Sequence, residues 1–182
     1  YGPVIDGESL HKQPMQAIRD GDSAHVPVML GTNRDESKLF AATMRRDQPD
    51  EAGTLKAIGA VLPKASSDQV AALLEVYRKS RSEKGLPTSN LDMIDAVQSD
   101  VMMRINAGKM ASAQVAHQPN TYLYLFTYAS PARGGSLGSC HALEMPFVFG
   151  TTDAPGQDRF AGTGPGVEAL SANMMDAWLS FA

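Results

Sequence analysis

Apolar positions along this chain change their spacing in a way that separates strands from helices. Val26-Pro27-Val28-Met29-Leu30 is apolar without alternation, the pattern of a parallel strand covered on both faces. Thr121 to Tyr128 is the strongest strand signal, apolar and aromatic on both faces and bounded by Pro119-Asn120 and Pro131. Between the two the spacing is helical. Leu39, Phe40 and Met44 share one stripe after Glu36, and Leu55, Ile58, Val61 and Leu62 form the next. Val70, Leu73, Leu74 and Tyr77 follow behind Pro63, and Ser66 with Gln69 three residues on predicts a capping box. Residues 81 to 92, with Gly85, Pro87, Ser89 and Asn90, predict a loop, and 93 to 117 a second helical stretch. Its Met102, Met103 and Met110 read as adaptable core filler rather than channel lining. Residues 1 to 25, with the turn dipeptides Gly2-Pro3 and Asp6-Gly7, predict a surface run.

This is an α/β pattern, mostly helical with few strands. Residues 26–31 and 121–128 are expected as parallel neighbours in one sheet, with the loops that follow them at their C-terminal ends, where open α/β sheets bind ligands. Both strands look central, so further strands are needed to complete their hydrogen bonding, and these are expected upstream of Tyr1. The chain starts without methionine and stops in the amphipathic run Asp176 to Ala182, with no helix stop signal. Residues 1–182 are therefore expected to be the C-terminal part of a single domain, with no linker and no internal repeat.

Composition narrows the partners. A net charge of −4 and no cluster of lysine or arginine leave no electrostatic footprint for nucleic acid or an anionic membrane. No apolar run is long enough to span a bilayer. The single Cys140 cannot close an internal disulfide and suits a cytosolic or a secreted protein, so localisation stays open. His11, His25 and His117 lie in polar or helix-end contexts and read as solvated.

Two segments carry candidate chemistry. Gly138-Ser139-Cys140-His141-Ala142-Leu143-Glu144-Met145-Pro146 sets a histidine in a glycine-rich loop after the second strand, where backbone freedom lets the ring be aimed as a general base. Gly31-Thr32-Asn33-Arg34-Asp35-Glu36-Ser37 sets a carboxylate pair on the loop that leaves the first strand. Taken alone, that pair also fits first-turn charges favoured by a helix dipole. Gly134-Gly135-Ser136-Leu137-Gly138 satisfies G-x-S-x-G, but a nucleophile elbow needs a strand before it and a helix after it, and Pro131 and the histidine loop occupy those places. Cys140, His141 and Glu144 have no partner cluster elsewhere, too few donors for a zinc site. No metal and no other cofactor is expected.

The two loops together resemble the type B carboxylesterase family of α/β-hydrolases, which includes carboxylesterases, many lipases and the cholinesterases. The resemblance runs nearly end to end and takes in Tyr1-Gly2-Pro3-Val4-Ile5-Asp6-Gly7 and Gly21. It implies that Glu36 is the triad acid and His141 the base, in the chain order nucleophile, acid, histidine. Asp35 and Asp100 would then be structural, and Glu144 would support the pair from behind. Ser37 stands where the family usually has glycine, and serine caps helices well. Leu39 and Phe40 match positions that line the active-site gorge. Leu39 offers no π face for a quaternary ammonium, so the implied substrate is a small-molecule carboxylic ester with apolar groups. The implied reaction passes through an acyl-enzyme on a Ser-His-Glu triad, with the serine and the oxyanion donors upstream of Tyr1 and the fragment inactive alone. The alternative is a catalytically inactive adhesion or binding homologue of the same fold. The presence of both Glu36 and His141 weighs against it.

Overall fold

The computed structural model describes residues 2–42 and 47–182. Tyr1 and Met44 lie outside the described residues. Eight helices and two strands are labelled here: α1 Pro14–Arg19, β1 Val28–Asn33, α2 Ser37–Ala41, α3 Glu51–Val61, α4 Ser67–Glu83, α5 Asn90–Ser99, α6 Ile105–Val115, β2 Thr121–Phe126, α7 Met145–Val148 and α8 Val167–Phe181.

The strands pair in parallel, with Val28 opposite Thr121 and Asn33 opposite Phe126, so both following loops leave from the same end of the sheet. β1 starts two residues later than the apolar run. Pro27 has no N–H to give a ladder, the Val26 N–H closes a turn on Ser23, and the Val26 carbonyl accepts from Gln114 at 2.9 Å. Gly31 is required in β1 because the Tyr124 ring lies across it; an added Cβ would meet ring atoms at 2.4 Å. β2 ends at Phe126, whose carbonyl accepts the Arg34 N–H as β1 turns into the acid loop.

Helix α8 covers one face of the pair, where Trp178 meets Tyr124 edge-on with ring centroids 5.0 Å apart. The core beneath it gathers Phe126, Leu137, Cys140, Leu143, Phe147, Ala161 and Val167. A second core of Ile58, Val70, Leu74, Met93, Ile94 and Val97 lies between α3, α4 and α5. Each large side chain fully buried there contributes roughly 1.5–3 kcal/mol of transfer free energy. Burial on both sides of the sheet holds only in part: Tyr122, Leu123 and Leu125 are exposed, and among the described residues β1 and β2 pair only with each other.

The stripes of α3 and α4 hold, and the Ser66–Gln69 capping box opens α4, whereas the stripe expected through Leu39 and Phe40 divides, Leu39 packing on the core and Phe40 on His141. Other boundaries differ from the sequence reading. The expected loop at 81–92 shrinks to six residues, because α4 continues through Glu83 and Ser89 opens α5 with a capping box to Asp92. The stretch expected at 93–117 begins at Asn90, ends at Val115 and widens in the middle: over Asp100–Arg104 the helix takes a π turn, and the Ile105 N–H reaches the Asp100 carbonyl five residues back. Helix α1, led by Pro14, interrupts the expected surface run. Met102 and Met110 are 48% and 37% exposed, so they do not fill the core of this chain.

Candidate active site

Glu36 follows the end of β1 by three residues and is only 6% exposed. One carboxylate oxygen, Oε1, accepts the Asn33 backbone N–H at 2.7 Å, and the other, Oε2, lies 2.7 Å from His141 Nδ1. The His141 side chain is 42% exposed, so the ring has its carboxylate-bound side inside and another side open. A carboxylate at Nδ1 holds the proton there and leaves Nε2 as the acceptor, the tautomer a general base needs. The Phe40 ring tilts against the imidazole with centroids 5.3 Å apart.

The histidine loop is fastened to the acid loop residue by residue. Asp35 is buried; its Oδ2 accepts the Ser139 N–H at 2.9 Å while its own N–H donates to the Ser139 carbonyl at 2.8 Å. The Ser139 hydroxyl donates to the Phe126 carbonyl at the end of β2. Burying a carboxylate requires opposite charge and hydrogen bonds. Arg34 Nε supplies them at 3.1 Å, and Arg81 Nη1 lies 3.8 Å from Asp35 Oδ1. Arg81 is itself anchored by its Nε to the Pro87 carbonyl, which folds the loop after α4 back over it. Ser37 does not cap α2 as expected from its type. It is buried within the first turn, where its hydroxyl donates to the Asp95 carbonyl and its N–H to the Ser99 hydroxyl, tying the acid loop to α5.

The remaining sequence candidates occupy different places. Leu39 is half-buried against the core under α8, whereas Phe40 on the next position reaches His141. Glu144 accepts from the Asn33 side chain behind the pair. Asp100 accepts the Tyr77 hydroxyl and pairs with Arg104 at 2.6 Å, and Arg104 also donates to the Arg34 carbonyl. Ser136 is exposed, has neither a strand before it nor an α-helix after it, and donates its hydroxyl to the Arg133 carbonyl at 3.0 Å. Cys140 is fully buried, and burial together with nearby carboxylates pushes its thiol up to about 11. Among the described residues no serine or cysteine bonds to His141, and no group of three His, Cys, Asp or Glu side chains is placed to hold a metal ion. No helix of the described residues is long and apolar enough to cross a membrane. A cleft of about 490 Å³ bordered by Arg34, Tyr77, Arg81, Asp100 and Arg104 opens behind the acid loop and includes neither Glu36 nor His141.

Two contributions to the site escape a reading of the sequence. Arg81 falls where the spacing predicts loop, and its ion pair joins residues 46 positions apart in the chain, which no local pattern reveals. Ala142, directly after His141, sits at φ +63, a left-handed conformation that a residue with a Cβ rarely adopts. Nothing in its side chain signals that.

With this geometry in place, comparison with known proteins gives a consistent result. The chain is 30% identical to para-nitrobenzyl esterase of Bacillus subtilis (strain 168) over 182 residues, covering all of this chain and 34% of that protein. It is 28% identical to phenmedipham hydrolase of Pseudarthrobacter oxydans, again over all of this chain and 34% of the relative. Acetylcholinesterase 1 of Caenorhabditis elegans is 27% identical, with 99% of this chain and 31% of that one covered. A solved structure of a PNB esterase superposes with a TM-score of 0.70 at 29% identity, over all of this chain and 34% of that chain, so the fold is that of an α/β-hydrolase. The chain thus spans about a third of the length of the curated relatives it matches. Since the model of the carboxylesterase family matches residues 1–182, the whole of this sequence, the chain belongs to that family.

Proposed function

We propose that this chain supplies the acid and the base of a Ser-His-Glu triad that hydrolyses carboxylic esters, as the C-terminal part of one hydrolase domain. The observation that carries this reading is the 2.7 Å contact between Glu36 Oε2 and His141 Nδ1, with the carboxylate buried and the ring open on another side. A serine from the preceding part of the domain loses its proton to His141 Nε2 as its oxygen attacks the ester carbonyl. The imidazolium then returns that proton to the leaving alcohol, and the acyl group stays on the serine. Water repeats the sequence, with His141 again as base, to free the acid and the serine. Glu36 holds the ring in the correct tautomer and stabilises the imidazolium at both stages. The effect is larger because the carboxylate is shielded from water.

Phe40, against the imidazole, is the pocket wall of this reading, and Leu39 backs the same turn from the core. An apolar ring beside the base suits an apolar acyl or alcohol group. One relative is named a para-nitrobenzyl esterase and another a phenmedipham hydrolase, names in keeping with hydrolysis as the reaction proposed for this chain.

A fluorophosphonate probe on the full-length protein tests the reading. Equal labelling of the wild type and of Ser136→Ala, with no labelling of residues 1–182 alone, is expected for a serine upstream. Loss of labelling in a folded Ser136→Ala variant contradicts it.

A further inference from the structure

Asn33 is the last residue of β1, is 1% exposed, and pairs in register with Phe126. Its side-chain Nδ2 makes two hydrogen bonds, to the Cys140 carbonyl at 2.7 Å and to Glu144 Oε2 at 2.5 Å, so both amide hydrogens are committed. Two acceptors facing one end of an amide fix its orientation as N–H₂ toward the histidine loop. The opposite atom, Oδ1, is buried and has no partner among the described residues. A buried amide with an unpaired carbonyl is costly, so what this side chain contributes lies in its two N–H bonds. The backbone N–H of the same residue is the donor to Glu36 Oε1.

One residue therefore holds the acid from its main chain and brackets the base from its side chain, one bond on each side of His141, at 140 and at 144. We propose that Asn33 is a positioning residue of the triad: its amide ties the segment 140–144 to the end of the acid strand and so sets how His141 meets Glu36. This rests on the hydrolase reading given above. Asn33 touches neither the imidazole nor a substrate, and it acts through the backbone and through Glu144.

The donor–acceptor polarity makes the role separable from packing. Asn33→Asp is nearly isosteric but replaces the donor with a carboxylate that faces the Cys140 carbonyl and Glu144. Like charges this close cannot both ionise freely, so the pair takes up a proton more readily, and the protonated form rebuilds one bond. In the full-length protein N33D should lower kcat roughly tenfold to a hundredfold near pH 8 with KM nearly unchanged, and the ratio of variant to wild-type kcat should rise as pH falls. The double variant N33D/E144Q restores a donor opposite the new carboxylate. It should recover much of the lost kcat at pH 8 and flatten the pH dependence of that ratio.

Glu144→Ala removes the acceptor without touching the strand and keeps the test decisive if N33D does not fold; it should lower kcat by about tenfold, one bond's worth of alignment. His141→Ala is assayed beside them. If His141→Ala keeps wild-type turnover, the hydrolase reading falls and the positioning role with it. If His141→Ala is inactive while N33D and E144A both stay within about twofold of wild type, the positioning role alone is overturned. A pH-independent loss in N33D that E144Q does not rescue overturns it equally.

Discussion

Asp35 and Ser139 hold each other by two reciprocal hydrogen bonds, the Ser139 N–H onto the Asp35 carboxylate at 2.9 Å and the Asp35 N–H onto the Ser139 carbonyl at 2.8 Å. The two residues are 104 positions apart in the chain, yet each stands within two residues of the proposed acid or base. The acid loop and the histidine loop are thereby one body at the C-terminal ends of β1 and β2. Displacing either side of this clasp displaces the Glu36–His141 pair.

Gly138 is where the clasp is most easily broken. Its φ is +54, and a Cβ built there lies 2.7 Å from Asp35 Oδ2. Gly138→Ala should cost about 1–3 kcal/mol in stability, from the left-handed backbone and the pushed carboxylate together. It should also lower kcat. Thermal unfolding and ester turnover of the full-length variant check both; an unchanged melting temperature with unchanged kcat contradicts the clasp.

Glu36→Gln keeps shape and can still accept the Asn33 N–H, so the fold should survive. The amide, however, can present N–H₂ to Nδ1, which favours the tautomer whose Nε2 already carries a proton and cannot take one. By analogy with the acid-to-amide change in a serine protease triad, kcat should fall on the order of 10³ to 10⁴. Turnover combined with circular dichroism separates this from unfolding, and wild-type kcat in the glutamine variant removes Glu36 from the acid role.

Much of this arrangement was legible in the sequence, and two of the parts that were not share a physical cause. Val28 to Leu30 and Thr121 to Phe126 announce themselves because apolar runs without alternation suit parallel strands, and Ser66 with Gln69 marks a helix start through purely local bonds. His141 could be named as a candidate because a glycine-rich loop follows the second strand, whereas Glu36 took its role from the family resemblance, since an Asp-Glu pair alone also fits first-turn helix charges. Ser37 has the chemistry of a cap but does not act as one, since its hydroxyl is claimed by the Asp95 carbonyl, 58 residues away. Arg81, read as loop, is held in the last turn of α4 by Asp35 and by the Pro87 carbonyl. The widened turn at Asp100–Arg104 follows no residue pattern either. At Ser37 and Arg81 contacts between distant segments override the local signal.

Ala142 gives a prediction in the stabilising direction. At φ +63 it carries a strain that glycine does not, and no other described residue with a Cβ except Arg133 shares a positive φ. Ala142→Gly should gain up to about 1 kcal/mol from the relieved backbone, partly offset by the greater freedom of glycine in the unfolded chain. Denaturant unfolding of the variant measures the sum. A loss of more than about 1 kcal/mol would mean that Ala142 is not held in the left-handed region.

Cys140 should be chemically silent. Burial pushes its thiol from about 9 up to about 11, and the side chain has no exposed surface. Below that range the thiol stays protonated, and thiolate, the reactive form, accumulates only as the solution approaches it. Because the unfolded thiol ionises earlier, stability should also decline between about pH 9 and 11. Iodoacetamide at pH 8 should label the denatured protein fully and the native protein barely; rapid native labelling contradicts the buried placement.

His141, oriented by Glu36, is in this reading the base of an ester hydrolase. The turnover of an apolar p-nitrophenyl ester by the full-length protein and by its His141→Ala variant, each shown folded by its melting curve, tests it most directly. The variant should lose kcat by a factor on the order of 10⁴ or more, since the serine then has no base. A folded His141→Ala variant that keeps kcat within about tenfold of the wild type would contradict it.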